Sequence, residues 1–370
     1  MNMNKLRPEK YLKYLYLPNL FTAKRTKEIL SVNPTVIPQR EEAESVRIFV
    51  YDYNAERFEV NEFDSVRKIF SFKDNENTTW VNIDGLRKAD VEAVCNHYDI
   101  HPLFIEDILS INQRPKLDET ENTIFCLLNM LYYDDENFSV EQEQISIVLC
   151  KNTVISFQED PRRDVFNTVR EKLKMSNTKL RQGSAEYLCY TLLDTIVDHY
   201  FLVMEKLGGR IEDVEEVVAR GHNPRAITDI TNLRKELIIL KRNFIPVREV
   251  VNGFIRSESD LLEDRYTKYY KDVYDHIIQA IDLLENYRDV IVSLQDLHIN
   301  NVNLKMNEVM KVMAIVTCLL APATVIGGIF GMNFENVPLL KDHWGFWIAM
   351  AFMLIIPLWM LRIFRSRGWF

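Results

Sequence analysis

The chain has 370 residues, 47% of them hydrophobic and 27% charged, with 45 Lys and Arg against 54 Asp and Glu for a formal net charge of −9. That acidic balance argues against a nucleic-acid partner and mildly favours cations. The seven His are scattered, and neither a Gly-x-x-x-x-Gly-Lys phosphate loop nor a His-Glu-x-x-His zinc site occurs, so no catalytic constellation emerges and the chain is not read as an enzyme. The five cysteines (Cys95, Cys126, Cys150, Cys189 and Cys318) lack metal-type spacing and are read as reduced structural residues.

Residues 1–45 are polar, rich in Lys and Arg and without sustained periodicity, and are read as an N-terminal arm. Met1-Asn2-Met3-Asn4-Lys5 lacks an apolar stretch, so no secretory signal is expected and the large domain is expected to fold in the cytosol. Short β-rich runs follow at 46–51, 80–83, 123–128, 145–149 and 154–157, with helical patterns at 90–97 and 102–109, so 46–181 reads as a cytosolic α/β domain. Lys151-Asn152-Thr153 is expected as the hairpin turn between the last two runs.

Beyond Arg181 the strands stop. One helical pattern covers 184–219 and ends at Gly221, Asn223-Pro224 opens the next, and 225–256 carries Pro246 as an expected kink. From Tyr266 to Phe330 no Gly or Pro intervenes before Pro322. Roughly 65 helical residues at 1.5 Å rise would extend about 97 Å, far beyond a bilayer core of about 30 Å. Residues 182–311 are therefore read as a cytosolic stalk that continues into the membrane.

Residues 312–330 and 344–361 carry no charge and are each near the length of a transmembrane helix, with Phe330, Phe334, Trp344 and Trp347 as flanking aromatics. The alternative is a pair of buried core helices. Arg362, Arg365 and Arg367 form a basic tail at 362–370, whereas the connection 331–343 has only Lys341 as a strong base, which places both termini in the cytoplasm.

A register alternating four and three residues runs down the first span through Gly328, Thr324, Ala321, Thr317, Ala314, Met310 and Asn307. Small and hydroxylated residues in such a row suit either a pore lining or close helix packing. Continued towards the N-terminus, the same register meets Asp296, Asp289, Asp282, Asp275 and Asp272 with Asn, Gln and Ser between them, and no Lys, Arg or apolar residue. A solvated face normally mixes both signs, so this acidic stripe is read as an enclosed cation path beside an apolar seam of Ile277, Ile281, Leu284, Ile291 and Leu294. The register drifts about 20° per heptad on a straight helix, so Asp272 and Asp296 need not face one way. Unpaired hydroxyls at Thr317 and Thr324 would cost several kcal/mol each in lipid, so copies of the hairpin are expected to assemble.

Gly331-Met332-Asn333, closing the first span, resembles the signature of the CorA-type family of magnesium channels. The resemblance extends over most of 46–370, through Ile100-His101-Pro102-Leu103, Ile105-Glu106-Asp107-Ile108-Leu109, Gln113-Arg114-Pro115-Lys116, Arg248-Glu249-Val250 and Asp272-Val273-Tyr274-Asp275-His276. It implies a homopentameric funnel in the cell (inner) membrane: an α/β cytosolic domain, a long helical stalk and a two-helix transmembrane hairpin, with the first span of each subunit lining the pore. Mg²⁺ is then both cargo and regulator. Asn333 carbonyls would accept hydrogen bonds from the water shell of Mg²⁺, which gives up water reluctantly. The bland reading of the tripeptide is a helix cap with Gly331 in the left-handed conformation.

The resemblance also implies regulatory Mg²⁺ between subunits at Asp107 and Asp272, and a second, weaker site involving Glu106 and Asp194. In the outer loop, Glu335 and Asp342 would concentrate cations, and Met310 with Met313 could close the pore by dewetting. The chain departs from the family pattern at Ala321, where a bulkier residue is common, at Leu339, where relatives often carry an acid, and in its light basic tail. The expected function is potential-driven influx of Mg²⁺, with Co²⁺ and Ni²⁺ as passengers. The alternatives are a zinc transporter of the same superfamily, against which Phe334-Glu335-Asn336 speaks, and a non-conducting membrane metal sensor.

Overall fold

The structure is a computed structural model that describes residues 42–369 except 74, 112, 161–162, 222–224, 333–337 and 340–341. The chain divides into two compact units, Met1–Leu294 and Gln295–Phe370.

The first unit is built on one sheet of seven strands: β1 (Arg47–Tyr53), β2 (Phe58–Phe63), β3 (Thr78–Asp84), β4 (Lys116–Glu119), β5 (Ile124–Asp134), β6 (Ser139–Leu149) and β7 (Thr153–Gln158). Their spatial order is β2-β1-β3-β7-β6-β5-β4. β3 and β7 run parallel, from Thr79 opposite Thr153 to Asp84 opposite Gln158, and the other neighbours are antiparallel. This central pair is buried almost throughout, because both faces of the sheet are covered.

Period-two alternation decides which residues meet which layer. In β5, Ile124, Cys126, Leu128 and Met130 join a core shared with the long helices, while Phe125 and Leu127 join a second core under α1 (Lys88–His97) and α2 (Pro102–Leu109). The first face receives α3 (Asn167–Lys174), α4 (Lys179–Gln182), α5 (Ala185–Ala219), α6 (Ala226–Arg256) and the N-terminal part of α7 (Thr267–Phe330). Trp80 is fully buried in this core, stacked on Tyr51 at 4.8 Å and donating Nε1–H to Ser156 Oγ at 2.9 Å.

Local chemistry sets the boundaries. His101 Nδ1 accepts from Leu103 N at 3.2 Å, and Pro102 occupies the first helical turn, where its missing N–H costs nothing. Asp134 Oδ1 accepts from Glu136 N and Asn137 N to form the β5–β6 turn. Cys150 N donates to Thr153 O at 2.8 Å, closing the expected β6–β7 turn. Gly221, at φ +84, stands past the end of α5, and α6 runs through Pro246 to Arg256. Two strands were not legible in the sequence: β2 (FEVNEF) and β4 (KLDE) are polar edge strands without an apolar run.

The second unit contains the end of α7 and α8 (Gly345–Ser366). Both helices are long and apolar enough to cross a membrane, and only 6% of either apolar window is buried, so they are not the core helices of the alternative reading. Gly345 opens α8 because a Cβ there would lie 1.9 Å from Leu339 O.

Candidate metal centre and transmembrane stripe

Asp194 and Asp198 stand one turn apart on α5, on the side that faces α7, where His276 projects. Their ligand atoms all lie within 4.8 Å of one another. His276 Nδ1 is 3.6 Å from Asp198 Oδ1, too far for a hydrogen bond, and it is buried without a hydrogen-bond partner. Asp194 Oδ2 accepts from Tyr190 O–H at 3.3 Å. Burial, then the neighbouring Asp198 carboxylate, push the Asp194 carboxyl up to about 6, and Asp272 adds to the push. A divalent cation would cancel the repulsion, and two carboxylates with one imidazole form a donor set that hard Mg²⁺ and the more nitrogen-loving Co²⁺ or Ni²⁺ can both use.

The other acids on which the family resemblance bears are placed differently. Asp107, on α2, is mostly buried and paired with Lys116 Nζ at 2.6 Å, and the same ammonium meets Asp118 at 3.0 Å. Glu106 beside it is exposed, as is Asp272 on α7. Within one chain the trio thus takes Asp194 without Glu106. Asp198 and His276 were missed from the sequence, where the histidines looked scattered. The available signals were the four-residue step from Asp194 to Asp198 and the four-residue step from Asp272 to His276.

On α7 the acids and the apolar seam differ in burial. Asp275, Asp282, Asp289 and Asp296 are exposed, whereas Ile277, Leu284, Ile291 and Leu294 are buried in the core. Asp289 accepts from Arg288 Nη2 at 2.9 Å, so a cation flanks the stripe without lying in its register. Asn307, Met310, Ala314, Thr317, Ala321, Thr324 and Gly328 are all exposed in the single chain.

Two expectations about this span need correction. Thr317 Oγ1 donates to Met313 O at 2.8 Å and Thr324 Oγ1 to Leu320 O at 3.1 Å, so neither hydroxyl proton is unpaired and the lipid penalty expected to force assembly largely vanishes. Gly331 is not left-handed: among the described residues the glycines with positive φ are Gly85, Gly221 and Gly368. Its N–H instead continues the helix to Gly327 O at 2.9 Å, and Met332 N reaches Ile329 O at 3.3 Å. Asn333 and Glu335 lie outside the described residues. Asp342 is exposed, and its carbonyl accepts from Gly345 N at 3.1 Å at the start of α8.

Two membrane-length helices, one with a small and polar register, together with a carboxylate–imidazole trio on an α/β unit, define a membrane protein that handles metal cations. The family model for the CorA-like Mg²⁺ transporter protein matches residues 75–366, and the chain belongs to that family. It is accordingly a CorA-type divalent cation transporter rather than an enzyme. It is 38% identical over 327 residues to the cobalt/magnesium transport protein CorA of Thermotoga maritima, covering 88% of this chain and 93% of the relative. The putative metal ion transporter YfjQ of Bacillus subtilis is 29% identical over 292 residues, 79% of this chain and 89% of its own. The fold matches the complete CorA magnesium transporter of Methanocaldococcus jannaschii with a TM-score of 0.72 at 22% identity, covering 87% of this chain and 98% of that one.

Proposed function

We propose that this protein is a homopentameric channel for passive influx of Mg²⁺, also admitting Co²⁺ and Ni²⁺, in the cell membrane with both termini in the cytoplasm. The observation that carries the reading is the uninterrupted exposed register from Asn307 to Gly328 on α7, small or hydroxylated from Ala314 onward and preceded by the amide of Asn307 and by Met310. A lipid anchor has no use for such a row, whereas a ring of copies turns it into a narrow polar path. The Thr317 and Thr324 oxygens keep lone pairs for the water shell of a passing ion even while their protons are bonded along the helix. Gly331, Met332 and Asn333 form the outer mouth in this reading, with Glu335 and Asp342 drawing cations to it.

An inside-negative potential favours entry of a divalent ion by about 4.6 kcal/mol per 100 mV, twice the single-charge value, so no other energy source is needed. Control comes from the acids of the first unit. Asp194 and Asp198 repel each other when empty, with His276 beside them as a neutral or attractive donor, and Asp107, held by Lys116, shares a second site between subunits with Asp272, Glu106 lying nearby. Bound Mg²⁺ joins them and selects the closed state as cytosolic Mg²⁺ rises.

The test is Mg²⁺ uptake into proteoliposomes holding an internal Mg²⁺-sensitive dye at low starting Mg²⁺, with an imposed inside-negative potential and no pH gradient. Uptake that follows the potential and disappears in Asn333→Ala supports the channel. Absence of uptake in folded, assembled protein overturns it.

A further inference from the structure

Lys116 opens β4, and Asp118 follows it at the two-residue step that puts both side chains on one face of the strand. The neighbouring strand decides which face. Lys116 lies opposite Leu127 and Asp118 opposite Phe125, and those two residues belong to the core under α2. Phe104 of α2 stacks on Phe125 at 4.8 Å, which seats the helix so that Asp107, one turn on, comes within reach of Lys116.

The ammonium is held between two acids. Its Nζ donates to Asp107 Oδ2 at 2.6 Å, stands 3.0 Å from Asp118 Oδ2 and lies 6.0 Å from the centre of the Phe125 ring. The Asp107 side chain is 14% exposed and that of Asp118 is 43% exposed, so the first acceptor is sheltered and the second is open to water. Among the described residues no other cation is paired with Asp118. Burial disfavours the charge on Lys116, but the hydrogen bonds to Asp107 and Asp118 outweigh it and hold its pKa above the ordinary lysine value, so the ammonium stays charged near neutral pH.

We propose that Lys116 is a built-in competitor of the divalent cation at Asp107, a positioning residue that gives way by moving its ammonium to Asp118. This rests on the reading of Asp107 as a ligand of a regulatory ion and deepens it. A divalent ion arriving at Asp107 meets a unit positive charge on the same carboxylate, and in a sheltered site their repulsion is weakly screened. The lysine stem is flexible and its head is a compact point charge with three donors, so leaving Asp107 for Asp118 takes only side-chain rotation. Asp118 thus receives the charge that the ion displaces. The cation concentration that fills the site is then set by competition between the ion and Lys116, rather than by Asp107 alone.

The experiment titrates Mg²⁺ into EDTA-stripped, full-length protein in detergent and follows the rise in Tm. The part of the rise that Asp107→Asn removes belongs to this site, and its midpoint is the quantity read. Lys116→Met is expected to lower that midpoint at least about fivefold, and Asp118→Asn, which leaves the ammonium no second acceptor, to raise it about threefold. In the double variant Asp118 has nothing to receive, so the midpoint should equal that of Lys116→Met. Two plain neighbouring charges would act additively, and two structural ties would lower the Mg²⁺-free Tm without moving the midpoint in opposite directions. Lys116→Gln, a donor without the charge, replaces Lys116→Met should that variant not fold.

Asp107→Asn separates the two claims. If it leaves the Mg²⁺ response intact, no ion sits at Asp107, and the regulatory ligand and its competitor fall together. If it removes part of the response while the Lys116→Met midpoint stays put or rises, the ion remains and the competitor is overturned. An additive shift in the double variant overturns the withdrawal to Asp118.

Discussion

His276 Nδ1 on α7 lies 3.6 Å from Asp198 Oδ1 on α5, bringing together two helices that are far apart in the chain and carry no shared motif. A buried ring nitrogen this close to a carboxylate, yet bonded to nothing, is a position a metal ion would complete. Imidazole suits Co²⁺ and Ni²⁺ better than Mg²⁺, whose affinity rests on oxygen donors. His276→Ala is therefore expected to weaken Co²⁺ binding about tenfold and Mg²⁺ binding much less, whereas Asp198→Asn weakens both. Calorimetric titration of the full-length protein with each ion checks this; equal losses for the two ions in His276→Ala would remove the imidazole from the coordination sphere.

Stability should fall with rising pH in the mildly acidic range. Glu186 is buried, its Oε2 accepts from Glu263 N at 2.7 Å, and burial pushes its carboxyl up to about 7, as it does for Glu143. For an acid raised on folding, the native state holds the proton that the unfolded chain has lost between the ordinary carboxyl range and about 7. Its contribution is thus fully present in acid and is lost as pH climbs through about 7, at up to about 1.4 kcal/mol per pH unit per group. Thermal unfolding in EDTA should show a higher Tm at pH 6 than at pH 7.5, with a shallower slope in Glu186→Gln.

The two threonines separate folding from conduction. Since each hydroxyl proton is bonded to its own helix, Thr317→Val and Thr324→Val lose one hydrogen bond of about 0.5–1.5 kcal/mol and gain apolar surface against lipid. The variants should assemble as wild type by size-exclusion chromatography while proteoliposome Mg²⁺ uptake falls several-fold. Loss of assembly instead would make these residues packing contacts.

Gly345 and Gly209 should respond oppositely to alanine. A Cβ at Gly345 would sit 1.9 Å from Leu339 O, so Gly345→Ala must shift the connection before α8, with an expected cost of about 1–3 kcal/mol and impaired uptake. A Cβ at Gly209, exposed on α5, meets nothing within 4 Å, so Gly209→Ala should stabilise by about 0.5–1 kcal/mol. Melting curves of the two variants make the comparison directly.

Much of the architecture was legible in the residues. Five of the strands, both short helices on one face of the sheet and the three long helices announce themselves through apolar runs, helical periodicity and Gly or Pro punctuation, signals that depend only on neighbours along the chain. The membrane spans are legible for the same reason, as charge-free length alone marks them. β2 and β4 were not, because an edge strand needs no apolar run and its identity comes from the strand it pairs with.

The family and the register on α7 could be read from order and spacing, because a motif or a helix face is a local property. The metal trio could not: His276 becomes a partner of Asp194 and Asp198 only when α5 and α7 pack, and the same packing raises the Asp194 carboxyl by burial. Which threonine protons are free, whether Gly331 is left-handed and which carboxylates Lys116 holds are likewise matters of geometry. Spacing along the chain specifies which side chains share a face; desolvation and distance, which set their chemistry, exist only in the folded molecule.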